Sequence, residues 1–236
     1  MKYPWLAMLW RRARQAGAPH YTKWAGCGAT IVARNFVISA AHCLFKSQCN
    51  GNLCIVTQEF SELDLAVRVG DWKKDEVGET NYEEFVNIKK IHKHPGYEQR
   101  LHQQEINGAE YDIVILELDK MLPLDPFTPA CLAKAGEDAR FDGEQVTLAG
   151  WGRLLYKNKV TPNEPYEVNV TIAKTDTCPL SIEAPSKICV GQDHQKKGGC
   201  KVIVATHYLL YIKTNTFIFR GIVVVQSPTS CEANIF

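Results

Sequence analysis

Short apolar stretches alternate with polar stretches that contain glycine, proline or charged residues along the whole chain. The apolar stretches are rich in β-branched and aromatic residues, and no long amphipathic helical pattern lies between them. Strands of this length and spacing are typical of an all-β barrel or sandwich. The predicted strands cover residues 5–10, 29–39, 65–69, 85–91, 113–118, 145–149, 167–172, 187–190 and 217–225.

A stretch with three prolines, residues 119–133, separates the predicted strands into two groups. Prolines at this density prevent a regular strand and predict an extended crossing segment. Each half of the chain holds about five predicted strands, which is near the common number for one sheet. We therefore expect two β units, residues 1–118 and 136–236, joined by a segment at 119–135.

Charge and hydropathy exclude two classes of partner. The chain has 236 residues with 27 basic and 26 acidic side chains, so its net charge is close to zero. A chain with balanced charge has no strong positive potential to attract phosphate backbones or anionic lipids. We therefore expect neither nucleic acid nor membrane as a partner. The most apolar stretch, residues 208–225, contains Lys213 and Arg220 and is too interrupted for a membrane helix.

Nine cysteines indicate an oxidising compartment. Four disulfides would use eight of them and leave one for an outside partner, and eight paired cysteines allow 105 connectivities. The apolar residues 3–10 are followed by arginines, whereas a secretory signal places its positive charges first. We expect an extracellular protein whose export signal lies outside this sequence.

The strongest local motif is ISAAHC at residues 38–43, where a histidine follows a predicted strand. Small alanines and a neighbouring disulfide would hold His42 rigidly while leaving it accessible, as a general base requires. The alternative is an ordinary exposed loop histidine.

Two further motifs follow in order along the chain. Asp112 opens the apolar strand YDIVILEL, and a carboxylate there can fix the tautomer of a histidine. For Asp112 taken alone, the favoured interpretation is a residue that only starts the strand. The third motif, VTLAGWG at residues 146–152, is a strand followed by a tryptophan between two glycines.

In this order and context, the motifs resemble those of the trypsin and chymotrypsin-like serine proteases. The resemblance implies two packed antiparallel β-barrels with an active site in the cleft between them. It implies His42 as the base, Asp112 as its orienting carboxylate, and no cofactor or metal. The segments that carry it are residues 3–5, 27–28, 39–43, 111–113, 131–132, 150–152, Cys178, Cys189 and 198–200, with a weaker return at 221–231.

The resemblance also assigns the cysteines. Cys49 and Cys54 lie in an insertion after the histidine motif and are close enough to close their own loop. Cys131 is left unpaired, at the position where many family members attach a separate pro-segment by a disulfide. A zinc site built from Cys49, Cys54, His92 and His94 is the alternative, although no second paired-ligand motif follows. The implied pairs are Cys27–Cys43, Cys178–Cys189 and Cys200–Cys231.

The sequence departs from the family after Cys200. Family members continue with Gly-Asp-Ser-Gly-Gly-Pro, whereas this chain reads KVIVATH and places Val204 at the nucleophile position. Valine has no hydroxyl to deprotonate, so no acyl-enzyme can form. Val202 and Val204 disfavour the positive φ that glycine allows at the oxyanion-hole amides, and Ile203 replaces the aspartate that pairs with a newly cut amino terminus.

These departures predict a non-catalytic protease homologue that binds a protein or peptide in the cleft between the barrels. The alternative is a defective splice or gene-model product of an active extracellular endopeptidase, because the replaced residues 202–219 form one continuous stretch. The sequence ends five residues after Cys231 (236 minus 231), so we expect an incomplete second barrel. Asn169 begins the sequon Asn-Val-Thr, and strand alternation places it outward as a glycosylation candidate.

Overall fold

The structure is a computed structural model, and its secondary structure is almost entirely β, which confirms the predicted all-β class. In the part of the chain that the structure describes, two one-turn 3₁₀ helices accompany the strands, Ala41–Leu44 and Glu62–Asp64. No helix in the described segments has the length and apolarity needed to cross a membrane. The described residues are 2–12, 21–50, 53–76, 78–97, 111–132, 143–152, 162–172, 190–191, 206–212 and 216–223.

Six strands of the first half close into a barrel. Around the barrel the order is β1, β2, β3, β8, β7 and β6, and every neighbouring pair is antiparallel, including the closing pair of β6 and β1. A separate two-stranded hairpin, β4 with β5, follows the first 3₁₀ helix. The strands are Leu6–Arg12 (β1), Tyr21–Ala33 (β2), Phe36–Ser39 (β3), Phe45–Asn50 (β4), Leu53–Glu59 (β5), Leu65–Val69 (β6), Glu84–Lys93 (β7) and Val114–Leu118 (β8).

The prediction of one strand over residues 29–39 is wrong. β2 and β3 are separate antiparallel strands, and Ala33 pairs with Phe36 across a two-residue turn. The two turn residues, Arg34 and Asn35, interrupt the apolar run, and their carbonyl oxygens accept hydrogen bonds from the backbone amides of Leu122 and Leu118. The chain therefore reverses direction at two polar residues whose carbonyl oxygens accept backbone hydrogen bonds.

The first barrel encloses the main apolar core. Along β8, Val114, Leu116 and Leu118 are buried while Ile115 between them is exposed, which is the alternation expected of a strand with one solvated face. Burying one such side chain contributes roughly 1.5–3 kcal/mol. The core continues under the first 3₁₀ helix, where Ala41 and Leu44 are fully buried, so the barrel supports the segment that carries His42.

The second half forms a six-stranded sheet. Its order is β12, β11, β10, β13, β14 and β9, with β13 between β10 and β14. The expected incompleteness of the second barrel concerns residues beyond 223, which lie outside the described part of the chain. The strands are Cys131–Leu132 (β9), Gln145–Gly150 (β10), Tyr166–Ile172 (β11), Val190–Gly191 (β12), Thr206–Ile212 (β13) and Thr216–Val223 (β14).

Strand β1 and the residues just before it contact the second half of the chain. Leu6 and Met8 of β1 pack in an apolar cluster with Ala149 and Trp151. The Lys2 ammonium lies 2.6 Å from the Glu167 carboxylate on β11. These contacts fix the two halves of the molecule against each other.

The loop between β6 and β7, residues 70–83, folds around the buried side chain of Arg68. The guanidinium donates to the Glu83 carboxylate (2.5 Å) and to the carbonyl oxygens of Lys74 (2.9 Å) and Glu76, and it lies 3.1 Å from Asp71. Aromatic rings of β1 and β7 also flank it. The loop is therefore organised by one internal cation.

The far side of this loop meets the second half of the chain. The backbone amide of Lys74 donates to the Asn163 carbonyl (3.0 Å), and the amide of Asp75 donates to the Asn163 side chain (2.8 Å). The Trp151 indole donates to the Trp72 carbonyl (3.0 Å). The residues that surround Arg68 thus also form part of the contact between the two halves.

Candidate active site

His42 lies in the first 3₁₀ helix, directly after β3. Ala40 and Ala41 are fully buried, which lets this turn pack closely on the barrel. Cys43 forms a disulfide with Cys27 on β2, with the two Cα atoms 6.3 Å apart. The His42 side chain keeps 23% of its surface exposed, so it is rigidly supported and still reachable from solvent.

Asp112 contacts His42 through both carboxylate oxygens. Oδ1 accepts the backbone N–H of His42 at 2.8 Å, and Oδ2 lies 2.6 Å from the ring Nδ1. An ionised carboxylate only accepts hydrogen bonds, so the proton of the neutral ring resides on Nδ1 and Nε2 carries the lone pair. The Asp112 side chain is 7% exposed, and the pair therefore has the geometry of a histidine base held by a buried carboxylate.

Tyr97 and Tyr111 lie near Asp112, and the sequence motifs assign neither of them a role. The Tyr97 ring stacks on Phe45 at a centroid distance of 6.0 Å, and burial followed by the charge of Asp112 raises the pKa of the Tyr97 hydroxyl. Tyr111 stacks on His94 at 4.6 Å. Tyr111 precedes Asp112 in the sequence, so adjacency was an available signal for it. Tyr97 has no comparable signal.

The zinc alternative built from Cys49, Cys54, His92 and His94 stays a prediction, because the side chains of Cys49 and Cys54 are not among the described residues. Among the described residues, one group of three possible ligands has its donor atoms close together, namely Cys27, His42 and Cys43, and its two sulfur atoms are joined in the disulfide. His92 faces Glu117 at 3.4 Å, whereas the His94 ring lies on Tyr111.

The predicted insertion is the β4–β5 hairpin, which starts immediately after the first 3₁₀ helix. Cys49 and Cys54 are directly opposite each other across this hairpin. Their side chains lie outside the described part, so the Cys49–Cys54 disulfide stays a prediction. The base of the hairpin is tied to β7, where Lys93 pairs with Glu59. The hairpin therefore stands beside the segment that carries His42.

Several predicted residues lie outside the described part of the chain. They include the nucleophile position Val204 and its neighbours Val202 and Ile203. Cys131 is described, and it is an exposed free cysteine. Asn169 is exposed on β11, and its side-chain oxygen accepts a hydrogen bond from the Thr147 hydroxyl at 2.7 Å. The predicted disulfides outside the described residues are Cys178–Cys189 and Cys200–Cys231.

A closed six-stranded antiparallel barrel, a second β-sheet and a His–Asp pair carried by the barrel place the chain in the class of two-part all-β proteins related to serine proteases. The family model named Trypsin matches residues 3–201, and the chain belongs to this family. The match ends one residue after Cys200.

Curated relatives are similar to this chain at low identity. Phenoloxidase-activating factor 3 of Holotrichia diomphalia is 26% identical over 72% of this chain and 45% of its own length. Mannan-binding lectin serine protease 1 of Mus musculus is 26% identical over 84% of this chain and 26% of its own length. Venom serine protease 34 of Apis mellifera is 30% identical over 57% of this chain and 30% of its own length. The chain thus spans less than half the length of each of these relatives.

Proposed function

We propose that this chain is a non-catalytic member of the trypsin family that binds a protein or peptide in the cleft between its two halves. The observation that carries the proposal is Val204 at the position where the family has its nucleophilic serine. His42 and Asp112 are paired as a base and its orienting carboxylate. A base without a hydroxyl to deprotonate starts no acyl transfer, so recognition is the remaining use of the site.

The neighbours of Val204 support the same conclusion. An oxyanion hole needs backbone amides that point at the developing charge, and these amides depend on a backbone that β-branched residues disfavour. Val202 stands where the family has glycine. Ile203 stands where the family has the aspartate that pairs with a new amino terminus. The proposed loss of activity therefore involves positioning as well as the nucleophile.

The proposed binding surface combines the cleft with the β4–β5 hairpin. The hairpin leaves the first 3₁₀ helix directly after Leu44, and the amide of Phe60 returns to the Leu44 carbonyl at 2.7 Å. An extended peptide in the cleft near His42 would therefore pass the base of this hairpin. Peptide recognition by a protease-like cleft uses backbone hydrogen bonds and does not require cleavage.

Covalent labelling by a fluorophosphonate tests the loss of catalysis. We expect no labelled band from the purified chain under conditions in which active trypsin is labelled fully. Fluorescently labelled casein peptides test the binding half of the proposal, with a rise in anisotropy and no new fragments as the expected result. Labelling of the chain overturns the non-catalytic assignment, and absence of any anisotropy change overturns peptide binding.

A second candidate is that the locus encodes an active extracellular endopeptidase and that this chain is an altered product of it. Two observations favour it: the departures in residues 202–219 are continuous, and the family match ends at residue 201. Sequencing transcripts across residues 199–220 separates the candidates. A second message with Gly-Asp-Ser-Gly-Gly-Pro after Cys200 supports this candidate, and the present reading frame as the sole abundant message contradicts it.

We also propose that the protein acts outside the cell with a pro-segment bound through Cys131. The exposure of this thiol, the exposed Leu132 beside it and the venom protease among the relatives support this proposal. Protein isolated from its source should migrate more slowly without reductant than with it. The Cys131→Ser variant should lose this difference, and a single unchanged band for the unmodified protein would contradict the tether.

A further inference from the structure

Tyr111 has an unusual backbone conformation. Its φ is +54°, and it is the one non-glycine residue with positive φ in the described part of the chain. The left-handed region is unfavourable for a residue with a Cβ atom. Tyr111 also lies immediately before Asp112. A strained residue next to a functional carboxylate persists only if surrounding contacts hold it there.

Those contacts come from the segment after β7. The Tyr111 ring lies on the His94 ring with a centroid distance of 4.6 Å and an interplanar angle of 3°. The His94 ring is itself held, because its Nδ1 accepts the backbone N–H of Gly96 at 3.0 Å. A Cβ atom on Gly96 would stand 2.6 Å from the Tyr111 ring, so only glycine leaves room for the stack.

Backbone hydrogen bonds close the same region on the other side of Asp112. The amide of Ile113 donates to the Tyr111 carbonyl at 2.7 Å, and the Ile113 carbonyl accepts the amide of His94 at 3.3 Å. Asp112 is therefore enclosed between two residues that are both tied to His94. A rotation at Tyr111 would move the Asp112 backbone and its carboxylate together.

We infer that Tyr111, His94 and Gly96 form a clamp that positions Asp112 for its double contact with His42. The clamp is needed because Asp112 serves two donors at once, the backbone amide and the ring of His42, at 2.8 and 2.6 Å. A carboxylate that accepts two hydrogen bonds tolerates only small displacements. Tyr111 and His94 are positioning residues, since they act on His42 only through Asp112. The inference goes beyond the proposed function and does not depend on whether the chain cleaves peptides.

The test measures His42 by nuclear magnetic resonance in the folded full-length chain. Two signals report on Asp112: the hydrogen-exchange rate of the His42 backbone amide and the low-field resonance of its Nδ1 proton. In Tyr111→Val, we expect the amide to exchange about tenfold faster and the Nδ1 resonance to disappear, because a β-branched residue leaves the left-handed region and removes the stack. The Leu118 amide, which donates to Asn35 in the same barrel, should keep its rate.

Conservative variants separate a positioning role from a general loss of stability. Tyr111→Phe keeps both stacked rings and the hydrogen bond from Gly96 to His94, so it should retain the two His42 signals. His94→Ala removes one ring and should lose them. Equal acceleration of the Leu118 and His42 amides in Tyr111→Val overturns the inference, as do unchanged His42 signals in a folded His94→Ala protein.

A double-mutant cycle tests the contact with Gly96 and stays informative if Tyr111→Val does not fold. Gly96→Ala should accelerate exchange of the His42 amide by about fivefold to tenfold, because the new methyl group displaces the Tyr111 ring. In the Tyr111→Asn background the ring is absent and asparagine tolerates positive φ, so Gly96→Ala should have no further effect. The same acceleration in both backgrounds overturns the clamp.

Discussion

Small side chains and one disulfide determine where His42 lies. Ala40 and Ala41 are fully buried, so the turn that carries His42 rests on the barrel without a bulky side chain beneath it. The Cys27–Cys43 disulfide ties the other side of the turn to β2. His42 is consequently supported by the barrel core, and the Asp112 carboxylate orients its ring.

Restoring the hydroxyl alone should not restore catalysis. In Val204→Ser, we expect no covalent labelling by a fluorophosphonate, because Val202 and Ile203 still disfavour the backbone that an oxyanion hole requires. The measurement is intact mass after incubation with the reagent. Labelling of Val204→Ser that disappears in the Val204→Ser/His42→Ala double variant would show that the base and its surroundings are competent, contrary to this expectation.

Asn169 should carry a glycan when the chain is exported from a eukaryotic cell. The residue is exposed on β11, and Thr171 completes the sequon. Treatment with an N-glycosidase should shift the mass of the wild-type protein but leave Thr171→Ala unchanged. Thr171→Ser is the matched control, because serine keeps the sequon, and it should retain the shift. An exported wild-type protein of unmodified mass would contradict the prediction.

The loop at residues 70–83 takes its shape from β6, since every residue of that strand is buried, including Arg68. Gly70 lets the loop begin in this narrow space, because it has a φ of +72° and a Cβ atom there would lie 2.4 Å from the Tyr82 carbonyl oxygen. Glu83 is 4% exposed and Asp71 only 1% exposed. Where these carboxylates are ionised, Arg68 is their buried counterion.

Removal of this counterion should strongly destabilise the protein. Arg68→Met leaves buried carboxylates without a cation, a situation that costs about 3–5 kcal/mol. Urea unfolding measures the change in the free energy of unfolding. Lys89→Met is the matched control, since Lys89 forms a surface ion pair with Glu117 and such pairs contribute about 0–1 kcal/mol. Equal losses of unfolding free energy in the two variants would contradict the larger contribution expected of the buried Arg68 interactions.

Asp71 should make stability depend on pH. Burial raises its pKa from 3.8 to about 7; the charge of Arg68 opposes the increase, and the nearby Glu79 carboxyl adds to it. Between these two values the folded protein holds a proton that the unfolded chain has released. The bound proton therefore stabilises the folded state fully below pH 3.8, and this stabilisation is lost as the pH rises toward 7.

The Asp71→Asn variant removes this titration. Its melting temperature should therefore fall less between about pH 5 and about pH 7.5 than that of the wild type, because the wild type loses its bound proton over this interval. Thermal unfolding by circular dichroism at both pH values checks this. Asp75→Asn is the control in the same loop, since the Asp75 side chain is 68% exposed. An Asp71→Asn protein with the wild-type pH dependence would refute the assignment.

Individual elements differ in how far the sequence determines them. β6 and β10 follow from their apolar composition, and their predicted and observed bounds agree to within one residue. The turn at Arg34 and Asn35 does not follow, because these residues take backbone partners from the distant segment after β8. The β4–β5 hairpin was also missed as a pair of strands, since its sequence lacks a regular apolar alternation.

Across the whole molecule, the two halves meet through β1 and the loop around Arg68. Met8 is fully buried in the apolar cluster that includes Trp151. Tyr3 and Lys2 both contact Glu167, and burial followed by the hydrogen bond to Glu167 raises the pKa of the Tyr3 hydroxyl. The amino-terminal strand therefore serves both as a barrel strand and as a link to the second sheet.

The Trp151 indole should contribute measurably to this link. Trp151→Phe keeps an aromatic ring but removes the N–H that donates to the Trp72 carbonyl, and we expect a loss of about 0.5–1.5 kcal/mol in the free energy of unfolding. Trp72→Phe is the matched control, because it keeps the accepting carbonyl and replaces an exposed ring, with an effect within about 0.5 kcal/mol. Denaturant unfolding of both variants tests the difference, and a larger loss in Trp72→Phe would refute it.

The sequence predicts some residues of the candidate site and misses others. His42 and Asp112 are marked by motifs, and the structure places them in contact. The stack of Tyr111 on His94 is not marked, because it depends on a positive φ and on the space left by a glycine. Both are properties of the folded backbone, which hydrophobic periodicity does not encode.

β13 lies at the centre of the second sheet, although its sequence falls in the stretch that departs from the family. Its ladder with β10 and β14 consists of backbone hydrogen bonds, which any sequence without proline can supply. The coding sequence of this hairpin can therefore change while the backbone pairing of the sheet is kept. A gene can then pass on the fold without passing on the residues that carry the chemistry.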